Sequence, residues 1–474
     1  MNKFQESDLE ELKAGLSAGA RIVVQGDADY EQSLKRWSAA AEKRAALIVF
    51  PNSSADVSLA VKFTQAQQLE LAVKGGGHGT SGSSSTHGGL CIDLSQMSTV
   101  LVDPVKQTIH AGGGSLWKDV YAAGESHGLA CVGGAVDDTG VGGLTLGGGY
   151  GYMSGARGLV IDNLISVEYV LANGNIVTAS AHENPELFWA ARGAGAGFGI
   201  ATAFVYQAYE QKAPVWGGLI IFEAAQLDAV IEAGNHFINT DDEKGSLVIS
   251  ITCPPPAKAM VILALVYYNG PESDAQNAFT SLLQLPAIAN TTDLIPYSAI
   301  NQLFSTGPAA QGMRHSMKGA AFMFPMAPSF GDLLLKKLSS FIQECPDAAS
   351  SLIAFEFFPH RMITAVPQTA TAFANRGAYG NLLTIMGWRD AANDTKCREW
   401  AREVSAMSKS EFMKQRAKLS DNAAKGEDGV GEYFNYDGLG ISGHEVFGVN
   451  FERLVALKKL YDPGNLFSKG PNLL

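Results

Sequence analysis

Cysteine, positive charge and long apolar runs are all scarce in this 474-residue chain. The five cysteines (Cys91, Cys131, Cys253, Cys345, Cys397) are scattered, odd in number and never form C-x-x-C. Such usage argues against a disulfide framework or a zinc site and fits buried thiols in a reducing compartment. Lys and Arg total 35 against 47 Asp and Glu, a net charge of −12. That sign disfavours a nucleic-acid partner, whose binding depends on basic side chains neutralising phosphates. No stretch reaches the roughly 18 apolar residues that a membrane-spanning helix requires. The longest run, "AMVILALVYY", is strand-sized. At the start, "MNKFQESDLEELKAGLSAG" is charged and helical in pattern, not basic-then-apolar as in a signal peptide. A soluble, intracellular protein with no membrane partner is expected.

What is present in quantity is apolar material, 46% of the residues, enough for a large core divided between two or more domains. "ALIVFPNSSADVSLAVKFTQAQQLELAVKGGG" reads as strand, Ser-Asp cap, helix and strand. Short β segments follow to about Ile109, then a helix at "LWKDVYAAGESHG" that stops at Gly128. Between Gly133 and Gly199 glycine dominates, in "GGAVDDTGVGGLTLGGGYGYMSGARG" and "ARGAGAGFGI". Two such blocks flanking apolar strands point to a groove where backbone lies against a ligand. From about Lys212 the style changes to strands such as "WGGLIIFEA", "SLIAFEFFP" and "NLLTIMGWRD", separated by amphipathic helices. This predicts a second domain, a sheet covered on one side by helices. The polar run "KQRAKLSDNAAKGEDGVG" reads as a loop or boundary.

The stretch "VKGGGHGTSG", Val73 to Gly82, contains a literal G-x-G-x-x-G after a strand-like run. A dinucleotide fingerprint also needs a helix after the glycines, to hold the pyrophosphate. Here "SSSTHGGLCIDLSQM" follows, which is β-like, so the match fails its structural test. A metal site is also disfavoured, because His78 and His87 lie nine apart with no third ligand at a recognised spacing. What remains is a glycine turn whose backbone N–H groups suit an anion. His78 at its tip is either a polar turn residue or bonded to what the turn cradles.

Together, "VKGGGHGTSGSS", "DDTGVGGLTLGGGYGYMSGARGLVIDN", "NPELFWAARGAGAGFGI", "EYFNYDG" and "FGVNFERLVALKKLYDPGNLFSKGPN" resemble, in this order, the berberine bridge enzyme-like FAD-linked oxidases. These belong to the wider p-cresol methylhydroxylase and vanillyl-alcohol oxidase (PCMH/VAO) flavoprotein fold. The resemblance implies an α+β, two-domain protein. Residues 1–211 would form the first part of an FAD-binding domain, 212–424 a substrate domain with an antiparallel sheet under helices, and 425–474 a segment returning to the FAD domain.

It also implies FAD bonded through a ring nitrogen of His78, a link that withdraws electron density and makes the flavin a better hydride acceptor. Gly75, Gly76, Gly77, Gly79, Thr80 and Gly82 would line the pyrophosphate side. Gly140, Gly142, Gly143, Gly148 and Tyr150 would lie along the cofactor, with Asp162 and Asn163 closing the segment. Many family members carry a second, cysteinyl link; Val136 stands at that position and Cys131 is five residues away, so a single attachment is expected. Thr139 falls at the family's oxygen gate, where a small β-branched residue admits dioxygen and leucine blocks it. An oxidase is therefore expected over a dehydrogenase.

The Y-x-N-Y match in "EYFNYDG" marks Tyr433 as the expected catalytic base, with Tyr436 in reserve and Asn435 holding ring or substrate. A phenol needs its pKa lowered for that task at neutral pH. Asn450, Arg453 and Lys458 match the family's closing helix, Arg453 and Lys458 being readable equally as surface or packing residues and as flavin contacts. Tyr461 and Asp462 would end that helix ahead of Pro463.

Family members with a carboxylate base place it on a central strand. The comparable strand here, "NLLTIMGWRD", has no acid before Asp390, which favours phenolate chemistry. His360, Arg376 and Trp388 are candidates to face the flavin. "FEFF" and "AFMFPM" suggest an apolar pocket lined by aromatics and methionine, suited to a medium-sized hydrophobic small molecule.

The expectation is hydride transfer from an alcohol, amine or activated C–H centre to flavin N5, with dioxygen giving hydrogen peroxide. The family context admits a role in secondary metabolism with oxidative ring closure. The alternatives are a dehydrogenase using another acceptor and a flavin-binding scaffold or redox sensor without turnover. Metal is not required, and the oligomeric state is open.

Overall fold

The computed structural model describes residues 5–254, 259–305, 312–418, 429–437 and 441–474. The middle of the polar run read as a boundary, 419–428, lies outside the described residues, and the expected domain limit at 424/425 lies there with it.

The first unit opens with a four-stranded sheet of β1 (Arg21–Val24), β2 (Leu47–Phe50), β3 (Leu71–Lys74) and β4 (Leu90–Asp93) in the order β1-β2-β4-β3. β4 runs parallel to both β2 and β3, and "LIVF" and "LCID" are buried at every position, as strands covered on both faces must be. The helix Ser54–Ala66 crosses over between β2 and β3. Its start is held by a reciprocal cap, Ser53 Oγ accepting from Asp56 N–H and the Asp56 carboxylate accepting from Ser53 N–H. A five-stranded antiparallel sheet follows, from β5 (Val100–Asp103), β6 (Thr108–Gly112), β7 (Leu164–Val170), β8 (Ile176–Ser180) and β9 (Ile200–Gln207).

The second unit is built on β10 (Val215–Glu223), β11 (Gly245–Thr252), β12 (Val261–Tyr268), β13 (Arg314–Met323), β14 (Leu352–Phe357) and β15 (Tyr379–Trp388). These pair antiparallel in the order β10-β12-β11-β14-β15-β13, with short strands added beside β10. The helices Leu227–Asn239, Pro328–Glu344 and Asp394–Arg416 bury their apolar sides with one face of this sheet. Strand alternation assigns the faces. Ile353, Phe355 and Phe357 join Leu334, Leu338 and Trp400 in the helix-side core. Leu352, Ala354 and Glu356 point the other way, towards the first unit, where Ala354 packs in a core shared with Tyr150 and Tyr433.

The helix Phe451–Tyr461 returns to the first unit. Arg453 lies over the Trp189 ring and pairs with Glu186 at 2.7 Å, and Lys458 Nζ donates to the Gly197 carbonyl at 2.7 Å. Asp462 closes the helix, its N–H donating to the Lys458 carbonyl. Among the described residues no helix is long and apolar enough to cross a membrane, and no group of three or more His, Cys, Asp or Glu is placed to hold a metal ion.

Candidate active site

The outer face of β11, β13, β14 and β15 and the two glycine segments of the first unit enclose a cavity of about 500 Å³. Its first wall is the turn after β3: Gly75, Gly76, Gly77, His78, Gly79 and Thr80 all line it. The second wall is the segment holding Gly140, Gly142, Gly143 and Tyr150, with Val136 and Thr139 beside them. The two walls cross backbone to backbone. A Cβ on Gly76 would stand 2.6 Å from Gly140 Cα, and one on Gly140 would stand 2.4 Å from Gly76 N, so neither position admits a side chain. At Gly143 the constraint is of another kind: a Cβ there would meet nothing within 4 Å. Packing does not demand that glycine, whereas a group lying against the wall would.

His78 projects from the first wall. Beside it on the same wall, the Oγ of Ser84 is buried without a hydrogen-bond partner. A polar atom left unpaired against the cavity fits an extended polar ligand. Lys469, paired with Glu70 at 2.8 Å, adds a cation to the lining that could meet a phosphate.

Not every expected residue reaches the cavity. Gly82 and Gly148, at φ +78° and +121°, make turns behind the walls. A Cβ on Gly148 would strike the Phe373 ring at 2.5 Å, and the Gly82 carbonyl accepts from Lys43 Nζ. Cys131 is buried away from the lining and burial pushes its thiol up to about 12. Asp162 is tied to Arg376 at 2.6 Å, and Asn163 to the Leu159 carbonyl and the Tyr209 hydroxyl.

The substrate-side candidates need correction. Arg376 is consumed by its buried pairing with Asp162, Trp388 donates its indole N–H to Asp394 at 2.8 Å, and His360 stacks on Phe324; none lines the cavity. Phe355 and Phe357 of "FEFF" and Phe322 of "AFMFPM" face the helices, because they occupy the wrong phase of their strands, whereas Phe358 packs beside Tyr150 on the first-unit side. From the substrate sheet the lining is chiefly aliphatic, with Leu352, Ala354, Leu383 and Ile385 beside Met317, while Tyr150, Tyr152, Phe304, Phe434 and Tyr436 supply aromatic surface to the cavity. Asn450 spans to the carbonyls of Gln368, Thr371 and Ala372, a structural role.

Opposite the glycine walls stands a carboxylate that sequence reasoning missed. Glu356 on β14 faces the cavity, its Oε1 accepting from the Tyr436 hydroxyl and its Oε2 from Asn381 Nδ2 at 3.1 Å. Burial raises its pKa to about 7, against those two hydrogen bonds. Asn381 sits on β15, the strand searched for an acid; the acid is on its neighbour. Tyr433 is placed differently. Its hydroxyl accepts from Gly149 N–H at 3.1 Å and Asn435 Nδ2 at 2.9 Å, and Asn435 also reaches the Leu144 carbonyl. Burial drives both phenols upward, and for Tyr436 the adjacent Glu356 charge adds to it.

Residues 45–180 match the model of an FAD binding domain, and residues 432–472 match the berberine and berberine-like model. The first match contains both glycine walls, the second Tyr433, Tyr436 and the closing helix. FAD-linked oxidoreductase pgmH of Aspergillus terreus is 30% identical over 479 residues, covering 98% of this chain and 96% of that one. The chain belongs to the berberine bridge enzyme-like FAD-linked oxidoreductases. FAD-linked oxidoreductase srdI of Neurospora crassa is 29% identical, covering 95% of this chain and 89% of the relative. The fold is that of 6-hydroxy-D-nicotine oxidase from Arthrobacter nicotinovorans (TM-score 0.81, 24% identity, 97% and 98% of the two chains). Physcomitrella patens BBE-like 1 shares it too (TM-score 0.80, 20% identity, 97% of each). This berberine bridge enzyme-like oxidoreductase is thus an FAD-dependent enzyme with the α+β, two-domain flavoprotein fold, and its cavity has the polar, glycine-faced wall that FAD needs.

Proposed function

We propose that this enzyme is an oxidase that removes a hydride from a small, largely apolar molecule bearing a hydroxyl or amine, and that dioxygen then accepts the electrons to give hydrogen peroxide. FAD held between the glycine walls supplies the two-electron acceptor. The observation that carries the reading is the Tyr436–Glu356 pair, a hydrogen-bonded phenol and buried carboxylate aimed into the same cavity.

The pair works as one base. Tyr436 takes the O–H or N–H proton of the substrate while its own proton moves to Glu356, so the proton ends on the carboxylate. With a pKa near 7, Glu356 is poised to hold or release that proton at neutral pH. Losing it makes the adjacent C–H bond a better hydride donor. Asn381 keeps the carboxylate oriented through its 3.1 Å hydrogen bond. The base role expected of Tyr433 passes to this pair; Tyr433 and Asn435 instead pin the glycine segment to the domain junction through Gly149 and Leu144. The aliphatic lining from Leu352 to Met317 excludes water and selects an apolar body.

His78 carries the single covalent link in this reading, since Val136 has no atom to form the second. Thr139 supports dioxygen as acceptor. The experiment is anaerobic mixing with a panel of secondary alcohols, phenols and amines, following loss of flavin absorbance, then peroxide release on admitting air. Flavin reduced without any peroxide would replace the oxidase by a dehydrogenase. Acid denaturation with peptide mapping tests the link: flavin on the peptide containing His78 supports it, and free flavin removes it.

A further inference from the structure

His78 is held by residues that no family pattern in the sequence marked. The Trp37 indole stacks on its imidazole with centroids 4.2 Å apart and planes 11° from parallel. The other face of the same indole covers His315 of β13 at 4.0 Å and 10°. This three-ring stack is fastened at both ends. Ser38 Oγ accepts from His315 N–H at 2.8 Å and donates to its carbonyl at 2.9 Å, and Ala39 N–H donates to the Met313 carbonyl at 2.8 Å. Two residues beyond His78, Thr80 Oγ1 accepts from Met317 N–H at 3.1 Å. The edge strand of the substrate sheet therefore clamps both Trp37 and the histidine turn. On the ring's edge, buried Nε2 stands 3.4 Å from Asp138 Oδ1, within a small ring rotation of a hydrogen bond.

We infer that Asp138 and Trp37 are positioning residues for His78: Asp138 draws the ring proton to Nε2 and leaves Nδ1 as the bonding nitrogen, while Trp37 fixes the ring plane. A carboxylate facing one imidazole nitrogen decides the tautomer in this way. The inference rests on the covalent reading above. In the attachment, one His78 N–C bond forms and one C–H bond of the cofactor's methyl group breaks. The methyl proton and the ring N–H proton leave, Asp138 accepting the latter. The two electrons of the C–H bond pass to dioxygen, which with both protons becomes hydrogen peroxide.

The test uses the purified holoprotein of the wild type, Asp138→Asn, Asp138→Glu, Trp37→Phe and Trp37→Ala. Total bound flavin and the acid-stable share are measured separately, and histidine-labelled samples are examined by ¹⁵N NMR. Asp138→Asn is expected to keep its bound flavin yet lose about tenfold or more of the attached share, with Asp138→Glu restoring most of it. Trp37→Phe should attach normally and Trp37→Ala should not. Full attachment in Asp138→Asn overturns the assignment to Asp138, and full attachment in Trp37→Ala the assignment to Trp37. Should the wild type carry only loose flavin, the covalent reading itself fails. The spectra then decide the positioning role: a His78 Nε2–H tautomer lost in Asp138→Asn upholds it, and an unchanged tautomer rejects it.

Discussion

The Tyr436 hydroxyl donates to Glu356 Oε1 across the domain junction, joining the C-terminal segment to the central strand of the substrate sheet. This contact turns two groups that are poor bases alone into a single acceptor. Burial holds the phenol protonated and the carboxylate near pKa 7, so the carboxylate is where a proton is gained or lost at working pH.

The rate of flavin reduction should therefore rise with pH through about 7, since below that value Glu356 already carries its proton and cannot take another. Stability should move the opposite way. The folded protein binds this proton more tightly than the unfolded chain, so the contribution is complete below the ordinary carboxylate range and is lost as pH rises through about 7. Glu356→Gln should flatten both profiles and slow reduction by about 10² or more. Stopped-flow reduction and urea unfolding across pH 5 to 9, about two units either side of 7, read the two effects. A Gln variant with the wild-type rate profile would remove Glu356 from the chemistry.

Tyr436→Phe and Tyr433→Phe should separate. The first breaks the link to Glu356 and should cut the reduction rate by about 10², with little change in substrate affinity. The second leaves that link intact and removes an acceptor for Gly149 N–H and Asn435, so loss of flavin retention should exceed loss of rate. The reverse ranking of the two rates would return the base role to Tyr433.

What the sequence disclosed follows from where its information is local. The turn around His78 and the block from Gly140 to Tyr150 carry their meaning in adjacent residues, and both line the cavity. Gly82 and Gly148 were over-read, because a glycine required for a positive φ looks the same as one required beside a ligand. Glu356 was hidden by its neighbours. Alternation places residues 352, 354 and 356 on one face of a strand, yet nothing in "FEFF" tells which face meets helices and which meets the cavity, and flanking phenylalanines suggest a core. Trp37 and His315 are 278 positions apart, so their stack leaves no trace in a linear reading.

Thr139→Leu should slow reoxidation of reduced enzyme by dioxygen while leaving anaerobic reduction unchanged. Thr139 lines the cavity beside Val136, and two more carbons of side chain would fill space there. Mixing reduced enzyme with oxygenated buffer measures this directly, and an unaltered reoxidation rate would deny Thr139 a gating role.

Lys458 and Asp462 test a purely structural expectation. They pair at 2.6 Å with both side chains only 1% exposed, and Asp462 also accepts from Leu466 and Phe467 N–H, tying the C-terminal strap to its helix. Neither reaches the cavity, so the possible flavin contact at Lys458 gives way to a packing role. Lys458→Met leaves a buried carboxylate without its counter-charge and should cost about 3–5 kcal/mol. Adding Asp462→Asn removes the stranded charge while keeping an oxygen for the two backbone donors, so the double variant should regain part of that loss. Urea unfolding of the holoenzyme measures both. A single variant as stable as the wild type would mean that water enters the site and screens the carboxylate, whereas a double variant weaker than the single would show that the backbone hydrogen bonds, not the charge pair, hold the strap in place.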